Sequence, residues 1–268
     1  MPDTPKPGLP PIRRVTFDML RTALKRGARD MIQAPVYAIL FSAPYVLTGW
    51  VLGWITLVTG QSYWLIFAAV SFPLIGPFAA VGLYDVSRRI EQGRPLVMSE
   101  ILTVVTRQSR RQLPSICAII VFLFLVWFFI GHMIFALFMG LSVMTNVSSS
   151  YEVFLTMNGL TMLAVGSVVG AGFAVLLYMI TVISLPLLLD REVDFVTAMI
   201  VSFTTVTVNP VPMLAWALFI AVLTFVAMMP YFLGLFIALP LLGHATWHLY
   251  DQIAAETGGD PGRPVAIG

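Results

Sequence analysis

The sequence predicts an all-α, polytopic membrane bundle: six transmembrane helices arranged as three hairpins, each hairpin preceded by an amphipathic interfacial helix. Three observations carry this expectation. Only 10% of the residues are charged against 59% hydrophobic, too little charge to coat a water-soluble particle of 29.5 kDa. The apolar residues come in runs close to the roughly 20 residues that a helix needs to cross a hydrocarbon core, rather than in short alternating strands, which excludes a β-barrel. The stretch from Ser71 to Arg94 runs uncharged and apolar straight into Asp85, Arg88, Arg89 and Glu91, where a span leaves the lipid.

Residues 1–14 are Pro-rich and read as a disordered tail; no apolar run starts before Pro35, so a cleaved secretory signal is not expected. Residues 15–251 form one transmembrane domain. From Val15 to Gln33, Phe17, Leu20, Leu24, Ala28 and Met31 recur at helical spacing, and Asp18, Arg21, Lys25 and Arg29 line the opposite face. This is the pattern of a helix lying in the interface, its cations on the anionic headgroups of the bilayer. Pro35 ends it, and span one is expected over Tyr37 to Val58.

An uncharged turn, Gly60 to Tyr63, leads to span two, Trp64 to Tyr84, and the charged knuckle Asp85 to Glu91 follows. Ser99 reads as the N-cap of a second amphipathic segment, Glu100 to Gln112. There Leu102 and Val105 face lipid, and Arg107, Arg110 and Arg111 face water. Pro114 opens span three, Ser115 to Leu141. After the polar loop Thr145 to Glu152 comes a long span four, Phe154 to Leu189. Val193 to Asn209 reads as a third interfacial helix ended by Pro210 and Pro212. Val211 to Tyr250 holds two more spans hinged at Met229 and Pro230, and 252–268 reads as a disordered tail.

All 15 Lys and Arg residues fall in the N-terminal segment, the connection between spans two and three, the connection between spans four and five, or the C-terminal tail. The excess of cations on the cytoplasmic side of a bacterial inner membrane then puts both termini in the cytoplasm. A net charge of +2 gives no reason to expect a nucleic-acid partner. The layout of amphipathic segment, span, span and acidic exit occurs three times, over residues 15–93, 97–192 and 193–251, with exits at Asp85, Asp190 and Asp251. A shared ancestry of the three units competes with the plain need of any returning hairpin for polar punctuation.

The most chemical-looking constellation is His244, His248 and Asp251, at i, i+4 and i+7 on one helix face. Two histidines one turn apart can share a metal ion, but Asp251 lies about 10 Å further along the axis than His244, so the set is incomplete. The competing reading places these residues with Trp247 and Tyr250 at headgroup level. His132 sits inside span three, where an ionisable group is costly and marks function by default; the plainer reading bonds it to a neighbouring helix. Otherwise the span interiors lack Asp, Glu, Lys, Arg and His apart from His244, which argues against proton- or ion-coupled transport. Gly166 and Gly170 form a small-residue pair for close helix packing, inside the bundle or against another subunit. Arg88 and Arg89 are placed to pair with Asp85, Glu91 or Asp190. Cys117, the single cysteine, excludes a disulfide within the chain. No P-loop, nucleophile elbow or zinc-protease motif is present.

The segments GPFAAVGLYDVSRRIEQG, DREVDFVTAMIVSFTTVTVNPVPMLAW and LLGHATWHLYD resemble marker segments of a family of bacterial predicted integral membrane proteins classed as a domain of unknown function. The resemblance runs from about Arg13 to Asp251 and implies an inner-membrane protein with no assigned activity. Some relatives carry a cytochrome c oxidase subunit I label, but that subunit needs more histidines for two haems and a copper than the three present here. The label implies at most an accessory place beside respiratory complexes.

Three functions are therefore carried forward. The first is a non-enzymatic accessory subunit, stabiliser or assembly factor docked on other membrane proteins, with no cofactor. The second is a transporter or channel for neutral or lipid-like molecules, and the third is a metal or haem protein using His244 and His248.

Overall fold

The computed structural model describes residues 6–10, 12–60, 65–140 and 154–254, for 6–7 and 65–74 as backbone alone. Helix α1 spans Phe17–Gln33, one residue before α2, Pro35–Thr59. Thr16 caps α1 by accepting from the Met19 amide, and Pro35 suits the first turn of α2 because no amide is needed there. Gly60, at φ 67°, closes α2 in the left-handed conformation, its amide donating to the Thr56 carbonyl. Helix α3, Leu65–Glu91, returns antiparallel to α2: the Tyr37 hydroxyl at the start of α2 donates to the Leu96 carbonyl just past the end of α3.

Helices α4 (Met98–Gln108) and α5 (Leu113–Met139) follow, and α5 packs on α6 (Met157–Thr181). After a two-residue break the chain continues as α7, Ser184–Asp190. The break is satisfied from α8 (Phe195–Val208), where the Ser202 hydroxyl accepts from the Ile183 amide and donates to the Met179 carbonyl. Asp194 caps α8. Helix α9 (Pro210–Met228) turns back into α10 (Leu235–Ala254) through Tyr231 and Phe232, both at positive φ. Gly49 of α2 makes room for the Phe232 ring, and Trp50 Nε1 donates to the Tyr231 carbonyl at 2.7 Å. A short parallel pairing of β1 (Lys6–Pro7) with β2 (Arg191–Glu192) is the sheet among the described residues.

Four stretches among the described residues are long and apolar enough to cross a membrane: Pro35–Thr59, Leu113–Met139, Met157–Asp190 and Pro210–Met228. Their flanks are sparsely covered by the rest of the chain, with 22% of the α5 stretch and 17% of the α9 stretch buried. The dense packing lies at the end of the bundle that bears the charges. There α1, the last turns of α3, the start of α5, all of α7, and the second half of α10 bury Leu20, Val81, Ile116, Leu187, Ala245 and Leu249 together.

Several expectations change. The knuckle Asp85 to Glu91, expected to follow span two, forms the last two turns of the same helix α3, where Asp85 and Arg89, four apart, satisfy each other. The cap of α4 falls at Val97, with no side-chain bond, rather than at Ser99. The N-terminal segment is not loose throughout: Ile12 is buried, and the Arg13 amide donates to the Ile253 carbonyl. Gln252 to Ala254 continue α10 instead of starting a tail. The loop Thr145 to Glu152, the turn residues Gln61 to Tyr63 and the end of the C-terminal tail lie outside the described residues.

Candidate functional site: a buried polar cluster at the charged end

Helix α1 presents Leu20, Ala23, Gly27 and Asp30 on its buried face. Three of these are small or apolar and let the backbone approach α10; the fourth is a carboxylate, 1% exposed, in the same stripe. An isolated carboxylate in such a place costs far more than a packing contact returns, so it must be paired. Its partner is His248 of α10, whose Nε2 lies 2.6 Å from Asp30 Oδ2. The other ring nitrogen, Nδ1, lies 2.9 Å from Glu91 Oε1 at the end of α3. With both carboxylates ionised their oxygens only accept, so the imidazole between them carries a proton on each ring nitrogen. Glu91 Oε2 also accepts from Trp247 Nε1 at 2.9 Å, and Arg26 Nη1 of α1 stands 3.8 Å from Glu91 Oε1.

The cluster lies at the helix ends. Asp30 precedes the first residue of α2 by five positions, Glu91 is the last residue of α3, and His248 stands in the last two turns of α10. Burial alone would lower the His248 pKa, but the bonds to Asp30 and Glu91 and their charges outweigh it and hold the imidazole up at about 9. Burial likewise pushes Glu91 up, and the bonds from His248 and Trp247 reverse this, leaving Glu91 below the usual carboxylate range. Asp251 is raised, first by burial and then by the charge of Glu91.

Two further knots complete the belt. Arg89 Nε donates to Asp85 Oδ2 at 2.8 Å and its Nη1 to Glu100 Oε2 at 2.6 Å, tying α3 to α4. Asp190 Oδ2, at the end of α7, accepts from the Tyr250 hydroxyl at 2.8 Å and from Arg191 Nε at 3.1 Å. His244, fully buried, places Nδ1 2.8 Å from Ser87 Oγ.

The sequence singled out His244, His248, Asp85, Arg89 and Glu91, and the structure brings all five to this end of the bundle. Arg89 takes Asp85, a pairing the spacing anticipated, while His244, His248 and Glu91 take partners that were not anticipated. His244, Trp247, His248 and Tyr250 are all buried within the bundle. Both nitrogens of His248 are taken by carboxylates, and no group of three or more His, Cys, Asp or Glu able to hold a metal occurs among the described residues. Glu91 pairs with Arg26 and His248 rather than with Arg88 or Arg89. Arg88 and Asp251 are partly buried on the flanks of the cluster. His132 turns back on its own helix, Nδ1 2.9 Å from the Phe128 carbonyl oxygen, instead of reaching a neighbour. Gly170 faces Trp127 of α5, whereas Gly166 faces open space.

Asp30, Ser87, Glu100 and Asp190 complete these contacts, and none of the four was among the predicted site residues, although Asp190 was named as a possible partner of Arg88 or Arg89. The signal for Asp30 was present: it stands seven residues after Ala23 and three after Gly27, in register with a stripe of small residues.

Neither the curated proteins nor the solved structures contain a match to the chain. The family model that matches carries no cytochrome c oxidase assignment. Residues 65–190 match the model of the family described as Predicted integral membrane protein (DUF2189), the uncharacterised membrane-protein family that the marker segments resemble.

Proposed function

We propose that this protein is a non-enzymatic component of the bacterial inner membrane, an accessory subunit, stabiliser or assembly factor that docks laterally on other membrane proteins. In this reading α3 and α10 return the chain through the bilayer beside the four apolar stretches, giving six crossings as three hairpins with both termini cytoplasmic. The observation that carries the reading is the contrast between a tightly bonded charged end and spans whose flanks are left uncovered by the chain itself. Lipid tails are as apolar as the side chains facing them, so helix association in a bilayer depends on close packing at small residues. Gly166 and Gly172 on α6 meet nothing within 4 Å and offer such a surface. The exposed Arg21, Lys25 and Arg29 of α1 supply contacts to anionic headgroups.

Extraction in a mild detergent or in polymer nanodiscs, followed by mass spectrometry, tests the proposal. Reproducible co-purifying membrane subunits in fixed ratio are expected. A clean monomer under every mild condition contradicts it.

A further inference from the structure

We propose that Asp30, His248 and Glu91 form a proton-operated latch that fastens α1 onto α3 and α10. The contact joins three helices from opposite ends of the sequence through one imidazole, with both of its nitrogens bonded to carboxylates. Remove one ring proton and a nitrogen lone pair faces a carboxylate oxygen across the shorter or the longer of these contacts. Attraction then becomes repulsion on one side, and a carboxylate must move away or take up a proton.

The charged groups around His248 decide which side yields. From α1 these are Asp30 and Arg26; from α3, Glu91; from α10 itself, His244 and Asp251; and Asp190 stands at the end of α7. After proton loss Glu91 keeps Trp247 and Arg26 as donors. Asp30 faces the imidazole at the closest distance in the cluster, inside the α1–α10 interface. Strain therefore falls on the α1 side. Helix α1 precedes the first span and keeps its other face exposed, so it is the element free to move.

The sign follows from linkage. The folded pKa is raised above the ordinary value of 6.5 to about 9. The latch therefore holds fully below the ordinary value and is lost as pH rises through about 9.

Amide hydrogen exchange on the full chain in nanodiscs tests this, comparing peptides from α1 and α2 between about pH 6 and about pH 10 after correction for intrinsic rates. Protection of α1 is expected to fall by at least about tenfold, centred near the raised pKa, while α2 stays constant. His248→Gln is expected to lower α1 protection at neutral pH and to remove the step. Histidine-selective nitrogen NMR on the unmutated protein gives an independent reading should that variant fail to fold. It is expected to show one of the three histidines still doubly protonated at about pH 8. Constant α1 protection up to about pH 10, an unchanged step in His248→Gln, or three neutral histidines at about pH 8 overturns the proposal.

Discussion

Gly27 of α1 passes so close to Ala245 of α10 that a Cβ on Gly27 would lie 2.6 Å from the Ala245 backbone nitrogen. The obstacle is backbone, not the end of a flexible side chain, so α1 must shift bodily to admit a methyl group. Gly27→Ala is expected to destabilise the charged end by about 1–3 kcal/mol and to raise amide exchange throughout α1. Thermal unfolding in detergent together with exchange measurements checks this, and an unchanged α1 would show that the helices do not touch here.

Removing one partner of the buried pair strands the other. Asp30→Ala is expected to cost about 3–5 kcal/mol, more than a typical surface ion-pair deletion, because His248 loses its closest carboxylate without access to water. The paired replacement Asp30→Leu with His248→Leu is expected to cost less than the sum of the single changes. Denaturant titration in bicelles reads both, and strict additivity would mean that the two groups do not interact.

Arg89 reaches two carboxylates from two different nitrogens, Nε to Asp85 and Nη1 to Glu100. A lysine has one ammonium and no fork, so Arg89→Lys is expected to keep one partner and release the other. The α3–α4 connection around Gln92 to Val97 would then become a preferred protease site. A cleavage rate equal to that of the unmutated protein goes against the bridging role.

Two glycines on α6 separate internal packing from docking. Gly170→Leu is expected to push against Trp127 and disturb the α5–α6 pair, lowering the unfolding temperature. Gly166→Leu meets open space and is expected to leave the isolated chain as stable as before, yet to deplete co-purifying subunits. Retention of those subunits in Gly166→Leu would place the docking surface elsewhere.

The helices were legible because long apolar runs and proline punctuation are strong signals: α2, α5 and α9 begin within a few residues of where Pro35, Pro114 and Pro210 place them. The exposed side of α1 was legible too, with Asp18, Arg21, Lys25 and Arg29 outward as their spacing requires. Its buried side was not. Hydrophobicity favours Phe17 and Met31, but close approach to α10 selects Ala23 and Gly27, and Phe17 remains exposed. The polar partners were hidden for a related reason. Spacing on one helix shows that His244 and His248 share a face, but Asp30 lies 218 positions from His248, and that pairing exists only once α1 folds back on α10. Likewise Asp85 marked the end of a span in the sequence because charge usually does, whereas the bond to Arg89 lets the helix carry both groups inward.

The arrangement of charges at one end of a membrane bundle is tested most directly by cysteine labelling in intact cells. Cys117→Ala provides the background, and single cysteines replace Arg21, Arg110, Thr59, Ser149 and Met229 in turn. A membrane-impermeant thiol reagent is expected to label positions 59, 149 and 229 and to reach 21 and 110 only after the cells are opened. Labelling of 110 and 149 from the same side of the membrane would contradict the account.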